Sequence, residues 1–272
     1  MTVAEAIRAA AERLTATSGT ARLDAELLMA HALGTERSAM LLRSMRDPAP
    51  AGFDTLVGRR KGHEPVAHIL GQQEFFGRAF KVTPDTLIPR GDSEVLVEAA
   101  LELKPDAVRV LDMGTGTGAL LLSVIAETRA TGAGTDCSPA ALAVAHDNAD
   151  RLGVEDRIRF HLLDWRKEGW AENLGQFDLI LCNPPYVEED AVLDADVRDY
   201  EPHSALFSGP QGLDDYRIII PGLRNLMTDG GLAILEIGHE QSPAVTEIAQ
   251  GSGFAVTLKK DLANRPRALI LT

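Results

Sequence analysis

Hydrophobic and polar residues alternate with helical spacing along the first part of the chain. Apolar residues recur at i, i+4, i+7 and i+11 in its opening segment. These residues are Val3, Ile7, Ala10 and Leu14. Thr2 and Glu5 stand at the spacing of a capping box, which predicts that a helix begins there. The segment ARLDAELLMAHALG predicts a second amphipathic helix with Gly34 as its cap, and RSAMLLRSM and GFDTLVGRRK predict two further short helices. Residues 1–71 are therefore predicted to form a small helical domain.

The pattern changes near residue 72. The segment EFFGRAFKVTPDTLIPR places aromatic and β-branched residues around Gly77, which is typical of a β-hairpin. Residues 72–90 are predicted to form this hairpin, and to join the helical domain to a larger domain over residues 91–272.

From about residue 93, strand-like apolar runs alternate with helical segments. The predicted strands are 108–112, 131–136, 158–163, 177–182, 231–237, 254–259 and 267–271. The predicted helices are 93–104, 117–128, 138–152, 213–228 and 242–252. Such alternation predicts an α/β fold with a doubly wound, mainly parallel, seven-stranded sheet and helices on both faces. Ligands of such sheets bind beyond the carboxyl ends of the strands, where the strand order reverses.

The first predicted strand of this sheet runs into a glycine-rich turn and a helix, in the segment VLDMGTGTGALLLSV. The turn is Gly114-Thr115-Gly116-Thr117-Gly118. Glycines allow the backbone to approach a ligand closely, and the N-terminus of the next helix offers unpaired N–H groups. A tight turn without a ligand, or a dinucleotide site, would use a similar sequence. Asp112 at the end of the strand favours a ligand that carries an ammonium and a sulfonium over the pyrophosphate of NAD.

Acidic residues also follow the next two strands. Asp136 stands where an acidic side chain accepts hydrogen bonds from ribose hydroxyls. A helix N-cap formed by Asp136 or Ser138 before Pro139 is the alternative. Asp164 can accept a hydrogen bond from an exocyclic adenine amine, and Trp165 can either cover the adenine ring or fill the core. The three strand ends together offer groups for an amino acid, a ribose and an adenine, which describes S-adenosyl-L-methionine.

The fourth strand ends in LILCNPPYVEED, in which Asn183, Pro184, Pro185 and Tyr186 form a rigid, polar turn. Proline has no backbone N–H, so the strand must stop there. The Asn183 side-chain oxygen and the Pro184 carbonyl can each accept one N–H of a planar NH2 group, whose nitrogen is otherwise a poor nucleophile. The prolines stiffen the turn, and Tyr186 can stack on the planar group. We interpret the turn as a site that positions an amide or aromatic amine for methyl transfer, with a purely structural turn as the alternative.

With the glycine loop, the two acidic residues and the NPPY turn, the chain resembles the seven-strand S-adenosylmethionine-dependent methyltransferases. The NPPY turn is shared by enzymes that methylate planar nitrogen in DNA, ribosomal RNA and protein glutamine. Further segments are similar to the HemK-type protein-glutamine N-methyltransferases, from about residue 20 to the end. These segments are LDAELLMAHALG, GHEPVAHILGQQEFFG, FKVTPDTLIPRGDSE, YEPHSALFSGPQGLDDYR, LEIGHEQ and KDLANRPR.

The resemblance implies an enzyme that moves a methyl group from S-adenosyl-L-methionine, leaving S-adenosyl-L-homocysteine, to the glutamine of the Gly-Gly-Gln loop in class I peptide-chain release factors. It implies cofactor contacts at Gly114 to Gly118, Asp136, Trp165 and Asn183, and substrate contacts along Asn183 to Tyr186. It also implies that the helical module helps to grip the release factor. The family usually has Pro and Thr where this chain has Gly91 and Ser93, a change expected to loosen the loop that holds Arg90.

The charge of the chain bears on its partner. The formal net charge is −13, and residues 1–72 hold 9 basic and 8 acidic side chains against 18 and 32 in the other 200. Because nucleic-acid binding rests largely on phosphate neutralisation, this excess argues against an amino-methyltransferase of RNA or DNA, which is the alternative function. The nearly neutral helical module suits a protein partner, and its basic run Arg59-Arg60-Lys61 is expected to be a solvated helix end.

Other classes of protein have less support. An NAD enzyme or a cofactor-binding protein without catalysis would not need the NPPY turn. No Cys/His spacing suits a metal, and Ser204 and Ser208 lack a base beside them for a hydrolase triad. Cys137 and Cys182 are expected to be buried, reduced thiols. No apolar run approaches the roughly 18–20 residues that cross a bilayer, and the N-terminus lacks a secretion signal, so we expect a cytoplasmic protein without membrane contact.

Overall fold

A computed structural model describes all 272 residues, which form helices and strands as follows. The helices are α1 Val3–Leu14, α2 Ala21–Ala32, α3 Arg37–Arg43, α4 Phe53–Lys61, α5 Val66–Leu70, α6 Glu94–Leu103, α7 Ala119–Glu127, α8 Pro139–Leu152, α9 Ala195–Tyr200, α10 Asp214–Leu226 and α11 Ser242–Gly251. The strands are β1 Gln72–Phe75, β2 Arg78–Lys81, β3 Arg109–Met113, β4 Thr131–Asp136, β5 Ile158–Leu162, β6 Phe177–Cys182, β7 Met227–Glu236, β8 Val256–Lys260 and β9 Pro266–Leu271.

The chain divides into two compact units. The first contains residues Met1–Gln72 and also Leu193–Tyr200, and the second contains Gln73–Val192 and Glu201–Thr272. The first unit contains helices α1 to α5 and α9. The second unit holds the hairpin of β1 and β2 and all of the larger sheet.

The helical unit is built around the apolar stripes that the sequence predicts. Val3, Ile7 and Leu14 on α1 are fully buried against α2 and α4. The predicted capping box is confirmed, since the Thr2 hydroxyl accepts a hydrogen bond from the Glu5 N–H and the Glu5 carboxylate accepts one from the Thr2 N–H. The stripe and the box act together, because the cap fixes where α1 begins and the stripe fixes which face it buries.

The basic run at the end of α4 differs from the prediction of a solvated helix end. Only 7% of the Arg60 side chain is exposed, and its Nε donates to Asp24 Oδ2 at 2.7 Å. The Arg60 guanidinium also lies 3.6 Å from Asp196 of α9. The neighbouring Arg59 is half-exposed and pairs with Glu64. The prediction was wrong for Arg60 because the partners of this arginine come from distant parts of the sequence.

The second unit contains the predicted seven-stranded sheet, in the order β5-β4-β3-β6-β7-β9-β8. The five strands from β5 to β7 are parallel, and β9 and β8 add two antiparallel strands at one edge. The chain runs outward from β3 through β4 to β5 and then returns to β6 on the other side of β3. The strand order therefore reverses between β3 and β6, where Met113 is paired with Cys182.

The sheet is covered by helices on both faces, as its alternating residues require. Val110 of β3 packs under α6 and α7, whereas the next residue, Leu111, packs under α10. Gly132 and Gly134 of β4 let neighbouring side chains approach the strand. A Cβ atom would lie 2.9 Å from Leu121 Cδ1 at Gly132 and 2.7 Å from the Phe160 ring at Gly134. The small residues of β4 thus allow α7 and β5 to pack closely.

All seven predicted strands of the sheet and the five predicted helices around it are confirmed, with ends that differ by a few residues. The largest difference is β7, which begins at Met227 rather than at residue 231 and pairs there with Phe177 of β6. The predictions missed α5 and α9, which are five and six residues long. No helix is both long enough and apolar enough to span a bilayer.

We expect Arg60→Ala to destabilise the helical unit by about 3–5 kcal/mol, because it leaves the buried Asp24 carboxylate without its cation. Arg59→Ala is the matched control on the same helix and should cost about 0–1 kcal/mol, since its ion pair is solvated. Urea unfolding followed by far-UV circular dichroism measures the difference. The fluorescence of Trp165 and Trp170 reports separately on the second unit. Equal losses in the two variants would contradict the structural role of the buried pair.

Candidate active site

A pocket opens at the carboxyl ends of the parallel strands. Its wall is formed by the loops that follow β3, β4, β5 and β6, together with residues 85–93 and 202–205. The sequence-predicted residues that line it are Gly114, Thr115, Gly116, Thr117, Asp136, Asp164, Trp165, Asn183 and Pro185. The pocket lies at the reversal point of the strand order, which is where such sheets bind ligands.

The glycine loop after β3 has a backbone that other residues would strain. Gly114 and Gly116 have φ angles of +71° and +54°. A Cβ atom on Gly114 would lie 3.1 Å from Cη2 of the Trp165 indole. Gly118 has φ +82° and serves a different purpose, since its missing side chain makes room for Leu122 of α7 rather than for the pocket. The first two glycines shape the pocket wall, and the third packs the helix that follows.

Asp112 lies behind the glycine loop and does not line the pocket. Its carboxyl is 1% exposed, and Oδ2 accepts a hydrogen bond from the Thr115 hydroxyl at 2.7 Å. Oδ1 is buried without a hydrogen-bond partner in the chain. Burial raises the pKa of Asp112 to about 7, because desolvation disfavours the ionised form more than the Thr115 hydroxyl favours it.

Asp136 ties the glycine loop to the end of β4. Its Oδ2 accepts from the Gly116 N–H and its Oδ1 from the Ser138 N–H, both at 2.9 Å. Burial raises the pKa of Asp136 in spite of these bonds. The helix N-cap is Ser138, whose hydroxyl accepts from the Ala141 N–H at 3.2 Å. Asp136 therefore does not cap α8, and each of its oxygens keeps a lone pair for a further donor.

The loop after β5 brings an indole to the pocket wall. The Trp165 Nε1–H donates to Asp215 Oδ1 at 2.7 Å, and its benzene ring lies over Gly114. Asp164 accepts a hydrogen bond from the Arg166 N–H. Arg166 also lines the pocket, and its hydrogen bonds to Asp215 raise the pKa of the guanidinium. Trp165 thus fills part of the core and faces the pocket at the same time, so the two interpretations of this residue are compatible.

The turn after β6 presents two acceptor oxygens that have no hydrogen-bond partner in the chain. One is the Asn183 side-chain oxygen, which belongs to a half-buried residue that lines the pocket. The other is the carbonyl of Pro184, which accepts none of the backbone or side-chain hydrogen bonds. Pro184 and Tyr186 do not themselves line the pocket, since Pro184 is buried and the Tyr186 ring packs toward the core.

Two side chains from the region of β7 brace this turn. The Gln241 Nε2 donates to the Tyr186 carbonyl at 2.9 Å and to the Gly212 carbonyl at 3.2 Å. The Tyr186 hydroxyl donates to Glu236 Oε1 at 3.1 Å. Burial raises the pKa values of both Glu236 and Tyr186. The turn is thereby held at Tyr186 through both its backbone carbonyl and its ring hydroxyl.

The loop that holds Arg90 closes another side of the pocket. Arg90 forms an ion pair with Glu201, which is 5% exposed and also accepts from the Ile88 N–H at 3.0 Å. Gly91 begins a short 3-10 turn, within which Asp92 accepts from Arg267 Nη2 at 2.9 Å. The residues that depart from the family pattern thus lie in a loop that is anchored on both sides.

The two cysteines differ from the expectation that both are buried. Both are free, and Cys182 of β6 is fully buried. Cys137 is exposed and lines the pocket, because it follows Asp136 in the loop where β4 has already ended. The prediction was wrong for Cys137, since the apolar strand stops one residue before it.

Several residues of the site were not identified from the sequence. Glu201 and Asp215 hold lining residues in place, and Glu236 and Gln241 hold Tyr186 of the neighbouring turn, all from segments that lie far away in sequence. They fall within YEPHSALFSGPQGLDDYR and LEIGHEQ, two segments that carry the family resemblance. Their similarity was the one available signal, because no spacing rule assigns a role to a residue that supports another.

Comparison with known proteins places both units in recognised families. Residues 5–71 match the PrmC N-terminal domain, and residues 104–252 match a methyltransferase domain. The chain is 44% identical to the release factor glutamine methyltransferase of Cereibacter sphaeroides, over 98% of this chain and 97% of that one. It is 42% identical to the protein of the same name from Moorella thermoacetica, over 93% of this chain and 91% of that one.

Solved structures show the same fold at low sequence identity. The hMettl16 catalytic domain, solved with the MAT2A 3'UTR hairpin 6, aligns with a TM-score of 0.57 at 15% identity, over 72% of this chain and 76% of that one. A methyltransferase from Pyrococcus furiosus aligns with a TM-score of 0.52 at 18% identity, over 72% of this chain and 89% of that one. These similarities concern the architecture of the sheet and its helices.

We expect the raised pKa of Asp112 to appear in the pH dependence of stability. The folded chain holds this proton up to about pH 7, whereas the unfolded chain releases it near the ordinary value of 3.8. The stabilisation that this proton provides is therefore complete below the pKa of Asp112 in the unfolded chain. It is lost as the pH rises through the pKa of Asp112 in the folded chain. Asp112→Asn should remove this loss of stability. The free energy of unfolding of the variant, relative to that of the unmodified chain, should therefore rise by about 2 kcal/mol between pH 5 and pH 7.

Urea unfolding followed by tryptophan fluorescence at pH 5, 6, 7 and 8 measures this difference. The exposed Asp229→Asn is a matched control and should leave the pH dependence unchanged. Parallel pH profiles for Asp112→Asn and the unmodified chain would show that Asp112 keeps an ordinary pKa.

Proposed function

The chain belongs to the release factor glutamine methyltransferase family, and we propose that it methylates the side-chain amide nitrogen of the glutamine in the Gly-Gly-Gln motif of class I peptide-chain release factors. It is a methyltransferase, and the proposed methyl donor is S-adenosyl-L-methionine. The observation that carries the proposal is the rigid turn of Asn183 to Tyr186, whose two unpartnered acceptor oxygens match the two hydrogens of a primary amide.

The residues of the pocket fit this donor. The bare backbone at Gly114 and Gly116 leaves space that a side chain would fill, and the adjoining N–H groups can meet the amino-acid part. We assign the ribose hydroxyls to the free lone pairs of Asp136, and the adenine to Asp164 and Trp165. Asp112 does not line the pocket, and we assign it the role of holding Thr115 of the loop through its hydrogen bond. When bound, the donor supplies an electrophilic methyl group on a sulfonium.

The acceptor nitrogen needs positioning more than it needs a base. In a carboxamide the nitrogen lone pair is delocalised, so the group attacks a methyl carbon only when it is held in line with it. The Asn183 side-chain oxygen and the Pro184 carbonyl can each accept one N–H and fix the plane of the amide. Positioning of this kind contributes about 7–11 kcal/mol to lowering a barrier.

The same two oxygens stabilise the charge that develops. As the N–C bond forms and the C–S bond breaks, positive charge moves from sulfur to the amide nitrogen. Acceptor oxygens already bonded to the N–H groups stabilise this charge without any rearrangement. The nitrogen then loses one of its two protons to water, because an N-protonated amide is strongly acidic. This account requires no side chain to act as a general base.

Two points remain, which are the role of Tyr186 in the turn and the choice between protein and nucleic acid as the substrate. Gln241 and Glu236 fix the backbone and the ring of Tyr186, so this residue supports the turn from the core side and does not face the pocket. The same chemistry would suit a base amine of RNA or DNA. The acidic charge of the chain disfavours that substrate, because it repels a phosphate backbone.

We propose that the helical unit, residues 1–71, recognises the protein substrate, that residues 72–90 link the units, and that residues 91–272 form the methyltransferase domain. The helical unit carries nearly balanced charge and exposes a large apolar side chain at Leu42. A surface of this kind suits a protein partner better than a nucleic acid.

We expect the protein to transfer one methyl group from S-adenosyl-L-methionine to a release factor that contains Gly-Gly-Gln, and none to the same factor with Gly-Gly-Ala, because only a primary amide satisfies both acceptor oxygens. Intact-mass analysis of the release factor after incubation measures the transfer. Equal labelling of the two factors, or labelling of RNA with neither factor labelled, would contradict the assigned substrate.

We expect Asn183→Ala to lower the turnover rate about 10²–10³-fold, because it removes one of the two oxygens that orient the amide. Asn225→Ala, at an exposed position of α10, is the matched control and should behave as the unmodified chain. Initial rates at saturating substrates measure both variants, with circular dichroism to confirm folding. A folded Asn183→Ala variant with unchanged turnover would remove this side chain from the mechanism.

A further inference from the structure

Asp215 lies at the centre of a cluster of hydrogen bonds beside the pocket, although no motif pointed to it. Its side chain is 1% exposed, and four donors surround its two oxygens. Oδ1 accepts from Trp165 Nε1 at 2.7 Å and from Arg166 Nε at 3.2 Å. Oδ2 accepts from Arg166 Nη2 at 3.0 Å and from the Ser208 hydroxyl at 2.7 Å. The carboxylate thus joins the loop after β5 to the start of α10.

This arrangement holds the Trp165 indole at both ends. Its Nε1–H is bonded to Asp215, while the opposite edge of the indole lies against Gly114 of the glycine loop. Rotation of the indole about its side-chain torsions would break the first contact or collide with the second. The orientation of Trp165 at the pocket wall therefore depends on a residue that does not itself line the pocket.

The same carboxylate compensates the charge of Arg166. The guanidinium of Arg166 is half-exposed and lines the pocket, and Asp215 meets it with two parallel hydrogen bonds. S-adenosyl-L-methionine carries a net positive charge, since its sulfonium and ammonium outnumber its carboxylate. An uncompensated arginine at this wall would repel the donor, and the paired one does not.

We propose that Asp215 is a positioning residue for the methyl donor, which acts by fixing the Trp165 indole and neutralising the Arg166 guanidinium at the pocket wall. This inference rests on the proposed function, because it takes S-adenosyl-L-methionine as the ligand of the pocket. It assigns to α10 a role in donor binding in addition to its role in covering the sheet.

A purely structural role for Asp215 has to be distinguished from this one. The Ser208 hydroxyl accepts from the Asp215 N–H at 2.8 Å and donates to its carboxylate, so the pair also anchors the first turn of α10. Ser208→Ala removes this anchor without removing either bond to Trp165 or Arg166. It should therefore lower the free energy of unfolding while leaving donor affinity within about twofold.

A double-mutant cycle between Asp215 and Trp165 tests the proposal. Calorimetric titration with S-adenosyl-L-methionine should show that Asp215→Ala weakens binding about tenfold or more in the unmodified chain. In the Trp165→Phe background, where no indole N–H remains to be held, the same change should cost about threefold or less. Asp214→Asn, the exposed neighbour of Asp215, is the matched control and should not change affinity.

Two further measurements extend the test, and the first of them replaces Asp215→Ala if that variant folds poorly. Asp215→Asn retains an acceptor for the indole but not the charge, and should weaken binding less in high salt than in low salt. In a Trp170→Phe background, Trp165 is the one remaining tryptophan, and its fluorescence anisotropy should fall in Asp215→Ala as the indole gains freedom.

The possible results distinguish the positioning role of Asp215 from the proposed function. Binding to the unmodified chain, with equal losses for Asp215→Ala in both backgrounds and unchanged anisotropy, would overturn the positioning role alone. Absence of any binding of S-adenosyl-L-methionine to the unmodified chain would instead overturn the proposed function.

Discussion

The site depends on one constraint, which is the restricted backbone of the turn after β6. Pro184 and Pro185 remove two N–H donors and limit the backbone, Gln241 holds the Tyr186 carbonyl and Glu236 holds its hydroxyl. The Asn183 side chain and the Pro184 carbonyl therefore extend from a braced backbone at the point where the strand order reverses. A flexible loop with the same residues would have to order itself at each turnover, and much of the positioning energy would be lost.

Buried carboxyl groups lie behind the site at three places. Asp112 lies under the glycine loop, and burial raises its pKa to about 7. Glu236 holds the ring of Tyr186, and Asp215 holds the wall formed by Trp165 and Arg166. Each of these three carboxyl groups lies near the end of a strand or the start of a helix, beside the site.

Much of the fold could be predicted from the sequence, because the apolar spacing of α1 and the buried runs of β3, β4 and β6 are local signals. The parts that could not be predicted depend on contacts between distant segments. Arg60 is buried because Asp24 and Asp196 are brought to it, and α9 is a short charged segment without an apolar stripe. Among the candidate site residues, Gly114 and Asn183 directly follow strands and Asp136 ends one, so all three were visible in the sequence. Asp215 and Gln241 were not, since they contact residues about 50 positions away.

The most direct test of this account is a crystal structure of the protein with S-adenosyl-L-homocysteine and a release factor that contains Gly-Gly-Gln. The account predicts that the glutamine amide nitrogen lies about 2.7–3.2 Å from both the Asn183 side-chain oxygen and the Pro184 carbonyl oxygen, with its remaining face toward the sulfur. A glutamine side chain bound away from residues 183–186, or an amide that turns its oxygen toward the sulfur, would contradict it.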